Sequence, residues 1–231
     1  MTRNTGAVYT VSPDPRVIQA RENELQRWKG DCHGITSDVI MNDLVRKAAR
    51  WAGKPETDNW LDFAMQFQED VAMLYRGNLA AVAVFFPSGW IPRRKLGKSL
   101  TEIHEPVADS EHLTKVSDRL AKTISDPVLG SFCRSVWTLT SLGTLNNHPH
   151  IPRPPAQNIK DLYFRSEYQT TAPLGDGETS LFFIDVKVQP LFSIWDDPDR
   201  RKIIIESVNS MSENVLKYKN LQHIKHIINS R

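Results

Sequence analysis

The stretch LAAVAVFF, residues 79–86, restricts the folding of this chain more than any other feature. It is an unbroken apolar run closed off by Asn78 and Pro87. Such a run is too short to cross a bilayer and suits a buried strand better than a helix. A sheet therefore begins at Leu79.

Upstream of the run the pattern is helical. Residues 1–15 are polar and end in Pro13 and Pro15, which predicts a loose arm. Apolar residues are sparse over 16–30. Ser37 and Asp38 precede Ile40, Leu44, Ala48 and Trp51 at helical spacing, with Gly53 as the stop. Leu61, Ala64, Met65, Val71 and Leu74 predict a further helix over 58–75. Downstream, a short helix follows Gly97 and another covers 110–124. Residues 134–141, RSVWTLTS, have the β-branched and aromatic content of a strand. The connection 142–159 carries Pro149, Pro152, Pro154 and Pro155 and must run over the surface or along a ligand. Strands over 162–171 and 180–188 flank Asp176-Gly177, a reversal suited to an antiparallel hairpin. A long amphipathic helix over 200–218, with Ile204, Val208, Met211, Val215 and Tyr218 on one face, closes the chain. This order predicts an α+β fold with one antiparallel sheet and helices gathered on one side. It divides a single domain, 1–231, into a helical N-terminal region, 1–76, and a sheet-containing core, 77–231.

A chain of 231 residues with 40% hydrophobic content buries a substantial core without help from metals or disulfides. Its 29 basic and 27 acidic side chains leave a formal charge of +2, too little to argue for nucleic acid or a membrane surface. Cys32 and Cys133 have no CxxC spacing, so neither a zinc ribbon nor a disulfide scaffold is expected. The N-terminus has no apolar signal core, and the expected address is the cytoplasm.

The densest chemistry lies in residues 85–109, FFPSGWIPRRKLGKSLTEIHEPVAD. Ser99 and Glu102 have capping-box spacing, so a short helix starts there, and Pro106 stops it soon after His104. Leu100 and Ile103 share a face with His104, while Lys95 and Lys98 stand just upstream. An imidazole for iron, hydrocarbon for a macrocycle and cations for propionates are what b-type haem requires. The competing reading is a histidine that merely compensates a helix C-terminus.

Phe86-Pro87-Ser88-Gly89-Trp90, Lys95-Leu96-Gly97 and Ile103-His104-Glu105-Pro106-Val107 resemble the signature of the haem-dependent oxidative N-demethylase family. Gln68-Glu69-Asp70, Leu74, Trp137-Thr138, His148-Pro149 and residues 165–170 fall in that family's order, with Tyr168 where its pattern has a second arginine. The resemblance implies a PAS-like haem-binding fold with His104 as the iron ligand. It also implies oxygen-dependent demethylation of a small methylated amine, with formaldehyde released and electrons supplied by flavin and iron-sulfur partners.

Strand alternation puts Arg165, Glu167 and Gln169 on one side. If that side looks into the haem pocket, Arg165 pairs with a propionate and Glu167 holds a cationic amine or relays protons. Otherwise the triplet is a wet outer sheet face. His148-Pro149-His150 brings two imidazoles close, but with no acidic or thiol partner at a recognisable spacing it reads as a loop or haem-edge feature before a metal site. Trp90, Trp137, Phe182 and Phe183 read as core aromatics. Arg93, Arg94, Lys95 and Lys98 lie beside the pocket segment and need no polyanion to explain them. With no GxGxxG pattern and no cysteine set for a cluster, the electrons must come from a separate reductase, and a formaldehyde-capturing companion is expected with it. The alternatives are a non-catalytic PAS-like haem sensor of oxygen or redox state, and a haem-free homologue that binds another small molecule.

Overall fold

The computed structural model describes residues 1–38, 40–104 and 111–230, with backbone only over 111–116. The first part of the chain forms β1 (Thr2–Arg3), α1 (Pro15–Cys32), β2 (His33–Ile35), α2 (Met41–Trp51), α3 (Trp60–Ala64), β3 (Asp70–Tyr75) and β4 (Asn78–Ala83). After a 3₁₀ turn at Pro92–Lys95 come α4 (Leu100–His104), α5 (Glu111–Ser125), β5 (Phe132–Thr140), β6 (Tyr163–Pro173) and β7 (Thr179–Pro190). The chain then runs through α6 (Phe192–Trp195), α7 (Pro198–Asn209), α8 (Glu213–Tyr218) and α9 (Gln222–Asn229).

The strands form one seven-stranded sheet in the order β1-β5-β6-β7-β3-β4-β2. Every pairing is antiparallel. The α+β class therefore holds, and the apolar run at Leu79 forms a strand as far as Ala83, with residues 84–86 beyond its end. Helices, however, lie on both faces. Val71, Met73, Leu181 and Phe183 pack with Met41, Leu44 and Phe63, whereas the alternate residues Ala72, Phe182 and Ile184 pack with Leu100, Ile103 and Ile124. The physical reason is that β3 is apolar from Val71 to Leu74 on both faces, and only cover on both sides removes such a strand from water.

Three local expectations also change. The region over 58–75 is not one helix: α3 ends at Ala64 and the same apolar spacing continues as β3, so the first 76 residues supply strands as well as helices. α2 begins at Met41 with Ile40 as its N-cap and no side-chain cap, so Ser37 and Asp38 do not cap it. The long C-terminal helix is broken after Asn209, because Ser212 starts a new helix by accepting the Val215 amide. Asp197 and Pro198 at the start of α7 follow ordinary capping chemistry. The helices α7–α9 cover a separate apolar cluster built on Leu139, Leu162 and Leu191. Among the described residues no helix is long and apolar enough to cross a membrane.

Candidate functional site

The capping box forms as its spacing predicts. The Ser99 amide and hydroxyl both donate to Glu102 Oε2, at 2.9 and 2.8 Å, and the Glu102 amide approaches Ser99 Oγ at 3.3 Å. One turn later His104 Nδ1 lies 2.8 Å from the Leu100 carbonyl. A carbonyl can only accept, so Nδ1 carries the ring proton and the lone pair sits on Nε2. Burial pushes the imidazole below its ordinary pKa despite that bond, and Arg134 and Lys95 reinforce the effect, which keeps the ring neutral. Lys95 Nζ donates to the Ile103 carbonyl at 3.1 Å, closing the end of α4, and Lys98 is exposed. The Glu105, Pro106, Val107, Asp109 and Ser110 of the sequence reading lie outside the described residues.

The sheet brings a polar row to the same side. Gln169 of β6 is paired across strands with Arg134 of β5 and Ile184 of β7. Phe182, two residues before Ile184 on the same face of β7, packs in the cluster that contains Leu100 and Ile103 of α4. Residues directly opposite one another share a face, so Arg134, Gln169, Glu167 and Arg165 look toward the α4 side. This face is covered, with Arg165 1% and Gln169 6% exposed, so the wet outer face is not what forms. Arg134 Nε donates to Gln169 Oε1 at 2.6 Å, and Gln169 Nε2 donates to Glu167 Oε2 at 2.8 Å. The Ser88 hydroxyl donates to Glu167 Oε1. Arg165 donates from Nε to Ser88 Oγ at 3.0 Å, from Nη2 to the Phe86 carbonyl at 2.7 Å, and from Nη1 to the Leu145 carbonyl. Its guanidinium is 3.6 Å from Glu167 Oε1. Burial lowers the pKa of both Arg165 and Arg134, with the Glu167 carboxylate acting against it.

In register with this row lies Asp70, with the buried Arg21 acting on it through charge. Asp70, at the start of β3, accepts the Phe85 and Phe86 amides at 2.9 Å each. Burial pushes its pKa up to about 6, against the pull of Arg21, of the two amides and of Arg165. Arg21 is itself buried, donates to the Ala64 and Phe67 carbonyls, and lies 4.6 Å from the Phe85 ring centre. The segment from Phe85 to Ser88 is thus held from below by Asp70 and from the side by Arg165.

Sequence reasoning missed Arg134, Ser88 and this use of Asp70. Arg134 sits at the start of a run read as a strand, and only the pairing register places it opposite Gln169. Ser88 and Asp70 stood within quoted motifs without a role. Trp90 and Phe182 join the α4 side, whereas Phe183 is in the main core and Trp137 stacks on Phe164 at 5.4 Å near the C-terminal helices.

An apolar cluster, an imidazole whose Nε2 keeps its lone pair and a largely buried polar row are thus gathered on one side of the sheet. The chain belongs to the haem-dependent oxidative N-demethylase alpha subunit-like family, whose pattern it matches over residues 29–229. No curated protein matches it.

Proposed function

We propose that this protein is the haem-binding subunit of an oxidative N-demethylase, a single PAS-like domain that acts on a small methylated amine. The observation that carries the reading is the His104 Nδ1 bond to Leu100 O, which leaves the lone pair on Nε2, the tautomer a metal-bound histidine needs. Family membership ties the chain to haem chemistry, and a neutral imidazole beside apolar side chains and two lysines is a donor set of the kind that group takes.

The overall balance is one methylated amine, one dioxygen, two electrons and two protons giving demethylated amine, formaldehyde and water. Haem, when bound, supplies the iron at which dioxygen is activated. His104 would hold that iron through Nε2. Lys95 and Lys98, beside α4, supply cations for the propionates. Arg134 is a further cation near His104. Arg165 borders the same pocket, but its donors already hold the carbonyls of Phe86 and Leu145. It therefore acts mainly by fixing Ser88 and Glu167. Glu167 receives hydrogen bonds from Ser88 and Gln169, which aim its carboxylate. Its charge would attract a methylated ammonium, and its oxygens can hold or pass a proton at the substrate nitrogen.

The test is reconstitution of the full chain with haem. Wild type should bind one equivalent with a histidine-type Soret band, and His104→Ala should lose stoichiometric binding or change its ligation while keeping its far-UV circular dichroism. Loss of a bond within one helical turn costs only about 1 kcal/mol, so the variant should fold. Unchanged ferric and ferrous spectra in the variant would remove His104 from the role.

A further inference from the structure

The loop after β5, whose Leu145 carbonyl accepts from Arg165, carries a second cluster of ligating side chains. Asp31, near the end of α1, comes together with His148 and His150, and one ligand atom of each lies within 4.8 Å of the others. We infer that Asp31, His148 and His150 form a binding site for a divalent transition-metal ion of the zinc class.

His148 is the built part of this site. The residue is 2% exposed, yet its buried Nε2 has no hydrogen-bond partner. That nitrogen lies 3.2 Å from Asp31 Oδ2, within ion-pair distance but outside hydrogen-bonding geometry. A buried imidazole nitrogen without a well-aligned hydrogen-bond partner is unfavourable, and a coordinated cation would remove that cost. The ring cannot turn easily. Its face is stacked on Trp28 at 3.9 Å and 19°, and its own amide is held by Asn146 Oδ1 at 2.7 Å. Asn146 is tied in turn to Glu24 of α1 at 2.6 Å. Trp28 itself departs from helical geometry, with φ −124° and ψ 29°, and this kink near the end of α1 lies between Glu24 and Asp31.

Two imidazoles and a carboxylate suit a borderline divalent ion, and they exclude the all-oxygen shells that calcium and magnesium prefer. Tetrahedral zinc with ordinary bond lengths needs its ligand atoms roughly 3.3 Å apart, so the set must draw in slightly on binding. His150 can supply that motion, because it is exposed. Coordination through His148 Nε2 leaves the ring proton on Nδ1. The long 3.3 Å contact from the His150 amide to Nδ1 then gives way, which frees the loop to close. The exposed side leaves room for water to complete the shell. A bound ion would pin α1 to the loop whose Asn147 exchanges backbone hydrogen bonds with Pro87 and Gly89.

The test is titration of the chelator-treated full chain with Zn(II) and, as a spectroscopic probe, with Co(II). One equivalent should bind, with Co(II) giving visible bands of a low-coordinate site and Zn(II) raising the melting temperature. His150→Ala and Asp31→Asn, both away from the core, should each weaken binding at least tenfold. His148→Ala should abolish it, and circular dichroism will show whether that variant folds. Failure of the folded wild type to bind either ion overturns the proposal, as does unchanged affinity in both the His150 and Asp31 variants.

Discussion

At the scale of single residues, the polar row is a hierarchy rather than four equal groups. Arg165 spends its donors on carbonyls and on Ser88, so its loss strands buried acceptors and leaves Glu167 without its nearest cation. Arg165→Ala should therefore lower stability by about 3 kcal/mol, with weaker haem retention as a consequence, and urea unfolding reads the first effect directly. A near-neutral result would mean that those carbonyls find other donors. Glu167→Gln keeps the size and one acceptor but removes the charge. It should leave haem binding unchanged and reduce amine turnover about 100-fold, the usual scale of a lost acid–base group. Formaldehyde release at wild-type rates in that variant would remove Glu167 from the chemistry. The sequence made Arg165, Glu167 and Gln169 visible through two-residue alternation alone. Their partners Arg134 and Ser88 were not visible, because each reaches the row through a tertiary pairing that no local pattern encodes.

Among the elements, legibility followed how strongly each segment was bounded. β4 was plain because breakers close both ends of an apolar run. β3 was lost because a strand covered on both sides puts apolar residues at nearly every position, and such a run also satisfies a helical template. The break between α7 and α8 was equally hidden, since Ser212 caps a new helix inside a pattern whose apolar spacing continues across it. The turn joining β6 and β7 was read correctly and allows a direct stability test. Asp176 accepts the amides of Glu178 and Thr179 at 2.9 and 2.7 Å, the Thr179 hydroxyl at 2.8 Å and the Lys47 ammonium at 2.9 Å. Burial alone would raise its pKa, but the Lys47 ammonium and these hydrogen bonds outweigh it and bring the group down to about 2. A carboxylate depressed in the folded state stabilises above its unfolded pKa of about 3.9 and loses that contribution as pH falls through the folded value. Asp176→Ala should therefore cost about 1 kcal/mol at pH 7, after allowance for solvent screening, and progressively less below pH 4. Urea midpoints of the two proteins that stay equally far apart at pH 7 and pH 2.5 would show that the turn is held by something other than this charge.

For the whole molecule, the decisive question is where the electrons enter. An N-demethylation needs two per turnover, and the sequence contains no GxGxxG pattern to hold a dinucleotide. Its two cysteines cannot share a cluster. Cys32 precedes β2 at one edge of the sheet and Cys133 lies in β5 near the other edge, with β6, β7, β3 and β4 between them. At about 4.8 Å per strand, β2 and β5 are about 24 Å apart, far beyond the span of an iron-sulfur centre. The proposed division of labour is therefore a haem-binding chain that holds amine and oxygen, a separate flavin and iron-sulfur reductase, and a companion that captures formaldehyde. The haem-loaded chain alone, given amine and oxygen, should consume no NAD(P)H, and adding a compatible reductase should produce formaldehyde in proportion to NAD(P)H oxidised. Rapid NAD(P)H oxidation by the isolated chain would refute the division. Sustained inactivity with a reductase shown to reduce the haem, across a broad panel of methylated amines, would turn the reading toward a haem protein that senses rather than demethylates.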